Sequence, residues 1–364
     1  MSRATESAEP PNRGSAGAGS DDGSVGAGRG GGVPAWSGRG VSWALVGGMV
    51  AVGIVVMVIA LVAAGGAPKP LPAGLIGAGM PLSWAVPVLR FIADAAAIAT
   101  GGAVLTVVLL LPATDDQQVL RACQDAAVAA GVWAVASIGG LTTSAAVILG
   151  IPLSHLAEHA SVAGELDQVR ALAVAVVLTA VLAVFLSGCR TIRGARFALV
   201  LTAAALTGPL LTGHGAIERT SFWSVLATSS LVVHVFAATA WIGGLGGVLR
   251  YARERQAVER FSRLALVCAI SIGITGLLTA EIHLGGRQDG WGLITQWVTT
   301  GYGALVLGKA VAFAVLVTVG GWHRRTTIPG LAAGDSAAFR RLAAVELLVM
   351  AATVGLAVGL SRTP

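Results

Sequence analysis

The chain contains 364 residues, of which 55% are hydrophobic and only 12% are charged, and its mean hydropathy is +0.80. Because about a quarter of the residues in an ordinary soluble domain are charged, this composition excludes a soluble catalytic domain and indicates that lipid surrounds most of the chain. The formal net charge of +6 would suit a nucleic-acid surface, but the positions of the basic residues favour a membrane-topology signal instead.

The first 40 residues are rich in Gly, Ser, Pro and charged side chains. Such a segment cannot bury enough apolar surface to offset its chain entropy, so we predict a disordered cytoplasmic tail over residues 1–40. Its acidic residues and its distance from the first apolar run argue against a cleaved secretory signal. The first apolar run is therefore predicted to be an uncleaved membrane anchor.

About nine apolar runs follow, and we interpret each as a membrane-spanning helix. A span needs ~20 apolar residues, and these runs lack the alternation of a barrel strand. The sequence thus predicts an all-α, polytopic helix bundle, with about five spans in residues 41–214 and about four in residues 222–364. The fifth span is the weakest, because it is short and contains Pro209, and its loss would invert everything downstream. The predicted spans are 42–64, 86–111, 126–150, 171–188, 197–213, 222–249, 264–284, 302–320 and 342–360.

The orientation of the bundle follows from its basic residues, because positive charge near span ends is retained in the cytoplasm. With the amino terminus inside, 17 of the 24 Lys and Arg residues fall on the cytoplasmic side, six fall outside, and Lys309 lies within a span. This asymmetry predicts a cytoplasmic amino terminus and an outer carboxyl terminus. The six outer residues are Lys69, Arg90, Arg170, Arg219, Arg287 and Arg362.

The most informative stretch is HVFAATAWIGGLGG, which begins at His234 near the middle of the sixth predicted span. Trp241 lies two turns further along the same helical face, and an imidazole at this depth needs a partner. We interpret His234 as a metal or haem ligand that faces the bundle interior; a histidine hydrogen-bonded to a neighbouring helix for packing is the alternative. Close approach of that helix is predicted from Gly243, Gly244, Gly246 and Gly247.

Two further histidines are candidate ligands at the predicted outer face. His214 lies between glycines in LTGHG, where a free backbone can present an imidazole, although an ordinary loop histidine is nearly as plausible. Glu281 and His283 stand two apart near the end of the seventh predicted span, so both serve one site only if the helix has ended there. His155 and His159 are four apart, but a solvated loop face is the favoured interpretation of that pair.

Three charged residues lie within predicted spans, where none should stand unpaired in lipid. Asp94 and Lys309 lie at similar depths and can neutralise one another, with an ion path or gate as the alternative role. Glu346 lies toward the inner side, where Arg324 or Arg325 can reach it.

The three cysteines, Cys123, Cys189 and Cys268, fall at the predicted inner side, where a reducing cytosol keeps thiols free. A soft cytoplasmic exit site for Cu(I) is possible there, although nothing in the spacing requires the thiols to converge. The sequence also lacks a P-loop, a phosphorylated-Asp motif and a nucleophile elbow, so neither ATP-driven pumping nor an enzymatic activity is predicted.

Four ordered segments resemble the copper-resistance protein D (CopD) family. The resemblance covers about residues 222–364, while residues 86–214 more loosely resemble the amino-terminal part of actinobacterial members, in which a similar membrane half is fused to a cytochrome c oxidase assembly module. The segments are HVFAATAWIGGLGGVL, RFSRLALVCAISIGITGLLTAEI, YGALVLGKAVAFAVLVTVGGWHRR and FRRLAAVELLVMAATVGLAVGLSRTP.

The resemblance implies a cytoplasmic-membrane protein that takes up or handles copper, working beside a periplasmic copper-binding protein or an oxidase assembly factor. It places His234 on the family's span histidine, and Lys309 and Glu346 on its polar span positions. One departure is that only five Met occur, with no Met-rich segment that would collect Cu(I).

Sequence and resemblance together predict a copper-handling membrane protein. In this interpretation, His214 and His283, with Glu281 beside them, receive copper outside, and His234 carries it into the bundle. The chief rival is a b-type haem or quinone redox protein with two of these histidines as axial ligands. A non-transporting scaffold for oxidase assembly is the third possibility.

Overall fold

The computed structural model describes residues 43–70, 72, 77–112, 116–210, 222–252, 255–284, 292–332 and 336–363. Within these ranges the chain is helical, with turns and no β-strand, which confirms the predicted all-α class. The predicted tail over residues 1–40 lies outside the described residues. The helices are α1 Trp43–Ala63, α2 Met80–Leu105, α3 Asp116–Leu149, α4 Ala160–Glu165, α5 Asp167–Ser187, α6 Ile192–Leu210, α7 Phe222–Tyr251, α8 Arg255–Leu284, α9 Gly292–Thr299, α10 Gly301–Ala332 and α11 Ser336–Leu360.

Eight of the described helices are long and apolar enough to cross a membrane: α1, α2, α3, α5, α7, α8, α10 and α11. Helix α2 continues into a π-helical turn at Thr106–Leu110, which is included in its span. Several helices extend beyond the predicted apolar runs; α3, for example, begins ten residues earlier, because its first turns lie at a polar boundary and expose Arg121.

The predicted fifth span corresponds to α6, which is not among those eight helices. Arg193 and Arg196 in its first turns lower its hydropathy, and Pro209 lies at its end. The helix nevertheless runs antiparallel along all of α5. Near the connecting turn a Cβ on Gly194 would meet the Cys189 sulfur, and at the far end Gly208 lies beside the carbonyl oxygen of Ala171. Helix α6 therefore has the reach of its neighbour, and the predicted number of about nine spans is close.

Helix α2 lies at the centre of the bundle. On one side it packs with α3, α5 and α6 around a core that includes Ala126, Leu182 and Ala198. On the other side it packs with α7, whose neighbours α8, α10 and α11 enclose a second core around Leu245 and Met350. Helix α1, the first helix of the chain, packs against α11, the last one.

Glycines set the closest helix contacts, as the run after His234 predicts. A Cβ on Gly243 of α7 would lie 2.6 Å from the Cα atom of Gly102 on α2, which no side chain can tolerate. Gly53 of α1 and Gly355 of α11 meet in the same way. Because apolar helices gain little by leaving lipid for one another, such backbone contact is a main source of packing energy in a membrane bundle.

Candidate functional site

His234 lies half-buried on α7 and faces α8. Its Nδ1 atom is 3.0 Å from the Thr275 hydroxyl oxygen, and one turn earlier the Ser230 hydroxyl donates to the Thr275 carbonyl oxygen at 3.3 Å. Thr275 thus receives two polar contacts from α7 in an otherwise apolar interface. The predicted need of this imidazole for a partner is met by a neighbouring helix.

The hydrogen bonds around Thr275 assign the tautomer of the ring. The Thr275 hydroxyl donates to the Ser271 carbonyl oxygen at 2.6 Å, and a hydroxyl has one proton to give. We infer that Thr275 accepts from Nδ1–H of His234, which leaves the lone pair on Nε2. A histidine whose Nδ1–H is held by a protein oxygen presents Nε2 as a ligand atom, which is the usual arrangement at metal sites.

Gly276 of α8 lies beside the ring. A Cβ on Gly276 would stand 3.7 Å from the Cε1 atom of His234, which is ordinary van der Waals contact. Two turns along α7, Trp241 is buried and packs edge-to-face on Phe313 of α10, with ring centroids 6.2 Å apart. The predicted shared face of His234 and Trp241 therefore contacts both α8 and α10.

Lys309 lies on α10 one turn before Phe313 and is half-buried. It is near enough to His234 for an electrostatic interaction between the two side chains. The suggested ion pair with Asp94 is not formed, because Asp94 pairs with Arg90 one turn away on α2, with 3.1 Å between Arg90 Nε and Asp94 Oδ1. Within the ranges that the structure describes, Lys309 has no carboxylate within ion-pair distance.

Glu346 has a partner that the sequence interpretation missed. Its Oε1 atom lies 2.8 Å from Nδ1 of His323, with both side chains more than nine-tenths buried, and the imidazole stacks at a tilt on Phe339. The expected partners, Arg324 and Arg325, are exposed instead. A buried carboxylate holding Nδ1 of an imidazole fixes the ring orientation, as second-shell carboxylates do for metal-binding histidines.

The sequence did contain a signal for this pair. His323 lies nine residues before α10 ends at Ala332, and Glu346 lies ten residues after α11 begins at Ser336. In an antiparallel helical hairpin, residues equally far from the connection lie at the same height. Measuring both positions from the connection predicts that the two side chains can meet.

The outer-face candidates are only partly described. His214 lies outside the described residues. Helix α8 continues through Leu284, so the helix has not ended at positions 281 and 283, and the condition for a shared site is not met. Glu281 is half-buried. His155 and His159 lie in exposed 3-10 turns and contact Glu158 and the His155 carbonyl oxygen, respectively.

Two of the three cysteines converge although their spacing did not require it. The sulfurs of Cys123 and Cys189 lie 3.5 Å apart, while Cys268 belongs to the other core, with Leu245 and Met350. Across the described part of the chain, no group of three or more His, Cys, Asp or Glu side chains is arranged to hold a metal ion.

One segment of the chain matches a known protein family. Residues 255–360 match the family model described as copper resistance protein D. No curated protein and no solved structure matches the chain. The matched segment contains helices α8 to α11, with Thr275, Lys309, His323 and Glu346. His234 precedes this segment. The match is therefore narrower than the resemblance over residues 222–364. Eight apolar helices support a multi-pass membrane protein, and residues 255–360 of it match the copper resistance protein D family model.

Proposed function

We propose that this protein takes copper from the outer side of the cytoplasmic membrane and transfers it inward through α7, α8 and α10. The observation that carries the proposal is His234: an intramembrane imidazole held through Nδ1 by Thr275, which lies in the segment that matches the copper resistance protein D family model. Imidazole binds copper in either oxidation state. Intramembrane ionisable side chains are rare, and they commonly mark substrate paths.

A second imidazole extends the proposed path toward the predicted inner side. Lys309, Phe313, Leu316 and His323 recur at helical spacing on one stripe of α10, and Phe313 and Leu316 pack into the bundle core. His323 lies 14 residues beyond Lys309, or about 21 Å along the helix. Copper that leaves His234 thus has a second nitrogen donor on the same stripe, oriented by Glu346.

The entry to the path belongs to the same proposal. His214 and His283 are proposed to receive copper at the outer face, where a periplasmic copper-binding protein would deliver it; Glu281 would act separately, because α8 continues past both positions. On α8, residue 283 lies about 12 Å beyond Thr275, so it is one step further out than His234. The membrane potential would drive a monovalent cation inward with ~2.3 kcal/mol per 100 mV.

The rival functions are separated from this one by metal analysis and absorption spectroscopy. Detergent-purified wild type is compared with His234→Ala after copper loading and removal of loosely bound ions, and His155→Ala, which alters an exposed turn, is the matched control. The proposal expects near-stoichiometric copper in wild type and in His155→Ala, a loss in His234→Ala, and no Soret band. A Soret band lost in His234→Ala would identify a b-type haem protein instead. Absence of metal from every sample would favour a scaffold that binds an oxidase assembly factor.

A further inference from the structure

Cys123 and Cys189 form a buried thiol pair outside the segment that matches the family. Their sulfur atoms lie 3.5 Å apart, and each side chain is more than nine-tenths buried. Cys123 lies in the second turn of α3, and Cys189 lies in the turn that joins α5 to α6. The two residues are 66 positions apart in sequence, so their contact is made by the packing of α3 against α5 and α6.

The turn before α6 is shaped around the Cys189 sulfur. A Cβ on Gly194 would lie 2.9 Å from that sulfur, so the first turn of α6 leaves room only because residue 194 is a glycine. The Thr191 hydroxyl accepts a hydrogen bond from the Gly194 amide at 3.1 Å and caps the helix. The thiol therefore stands at the amino-terminal end of a 19-residue helix, where negative charge is favoured.

Two exposed arginines flank the turn that carries Cys189. Arg190 and Arg193 are exposed on either side of the turn. A complex of one Cu(I) with two thiolates carries a net negative charge, which these positive side chains attract. Gly188 and Thr191 are also exposed, so the buried Cys189 is close to the surface at this end of the bundle.

The sulfurs are too far apart for a covalent bond and lie at the distance of an S–H···S hydrogen bond, which Cys123 donates to Cys189. A disulfide would need ~2.05 Å. Two thiolates alone bind Cu(I) on nearly opposite sides, which at ~2.3 Å per bond places the sulfurs about 4.6 Å apart, so the pair would open by about 1 Å on binding. Thiolate sulfur selects Cu(I) over harder ions. Cys268 lies in the other core and supplies no third sulfur.

We propose that Cys123 and Cys189 bind one Cu(I) ion as a dithiolate at the inner end of the bundle, where copper leaves the membrane path. The inference rests on the proposed copper transfer and adds its exit site. Binding replaces the two thiol protons, which pass to solvent, by one Cu(I), and the copper stays monovalent throughout. The site lies on α3 and the α5–α6 turn, so the amino-terminal helices would take part in copper handling together with the family-matched ones.

The test is an anaerobic Cu(I) titration of the detergent-purified full chain against a chromogenic Cu(I) chelator. Wild type, Cys123→Ser and Cys189→Ser are compared, with Cys268→Ser as the control for loss of a buried thiol elsewhere. We expect each variant of the pair to lose about one tightly bound Cu(I), while Cys268→Ser keeps it. Copper X-ray absorption should show two sulfur neighbours in wild type and fewer in both variants of the pair.

Unchanged Cu(I) binding in Cys123→Ser and Cys189→Ser, or a copper spectrum without sulfur neighbours, would overturn the exit site. A Cys123–Cys189 disulfide in protein isolated from cells with thiols trapped would overturn it as well. His234→Ala in the same titration separates the two proposals. If copper is lost with His234 but not with the cysteines, the transfer proposal stands and the exit site fails; the opposite pattern would leave the dithiolate site standing without the proposed path.

Discussion

Gly243 on α7 and Gly102 on α2 bring two helix backbones into direct contact at the centre of the bundle. Helix α2 belongs to both hydrophobic cores, so this contact joins the amino-terminal helices to those that hold His234. We predict that Gly243→Ala lowers the melting temperature in detergent, with a cost of about 1–3 kcal/mol, because the added methyl group pushes the helices apart. The measurement is thermal unfolding of the purified protein.

Gly246 provides the control for that substitution. It lies on the same helix, and a Cβ there would meet nothing within 4 Å. Gly246→Ala should leave stability unchanged or raise it slightly, since alanine favours a helix. Equal melting temperatures for the two variants would contradict the packing assigned to Gly243.

The buried pair of His323 and Glu346 should be costly to break. Removing the Glu346 carboxylate deprives the buried His323 imidazole of a hydrogen bond, which costs about 1–3 kcal/mol. Glu346→Ala is therefore expected to lower the melting temperature markedly. Asp94→Asn is the comparison, because its pair with Arg90 is partly exposed and such pairs contribute about 0–1 kcal/mol. A Glu346→Ala protein as stable as Asp94→Asn would show that the buried pair does not hold α10 and α11 together.

Thr275 should act on copper affinity through His234. Thr275→Val removes the oxygen that accepts from Nδ1–H, and loss of such an outer partner weakens metal binding about 10–100-fold. Thr275→Ser keeps the hydroxyl and should restore the affinity. Thr318→Val serves as the control, since the Thr318 hydroxyl bonds only to the Ala314 carbonyl oxygen of its own helix. Competition titration with a copper chelator measures all three, and wild-type affinity in Thr275→Val would contradict the assigned tautomer.

Lys309 is expected to oppose a cation at His234. Like charges repel, and a repulsion of about 1.4 kcal/mol corresponds to a tenfold loss of affinity. Lys309→Met, which keeps the length of the side chain without its charge, should therefore bind copper on the order of tenfold more tightly. Weaker binding in Lys309→Met would mean that the lysine supports the site.

Local patterns in the sequence identify much of this fold. Apolar runs predict the spans because backbone hydrogen bonds in lipid must be satisfied within helices. The glycines after His234 predict close helix contact, which Gly243 makes. The pairing of Asp94 with Arg90 was also within reach of the sequence, since residues four apart share a helical face. It was missed because Asp94 was matched with Lys309 by depth alone.

The remaining contacts depend on how distant helices pack. His323 and Glu346 can be matched by their distances from the connection between α10 and α11. No such rule predicts the contact between Cys123 and Cys189, because it depends on how three helices pack together. The same is true of Thr275, which becomes the partner of His234 only when α8 packs on α7.

Inward copper flux through the full chain, reconstituted in sealed vesicles with an imposed potential negative inside, tests the central claim most directly. The vesicles contain wild type, His234→Ala or the exposed-turn control His155→Ala, and trapped copper is measured against time. The account predicts accumulation with wild type and His155→Ala that rises with the potential, and flux no greater than that of protein-free vesicles with His234→Ala. Equal flux with wild type and His234→Ala, or no flux above protein-free vesicles in any sample, would contradict it.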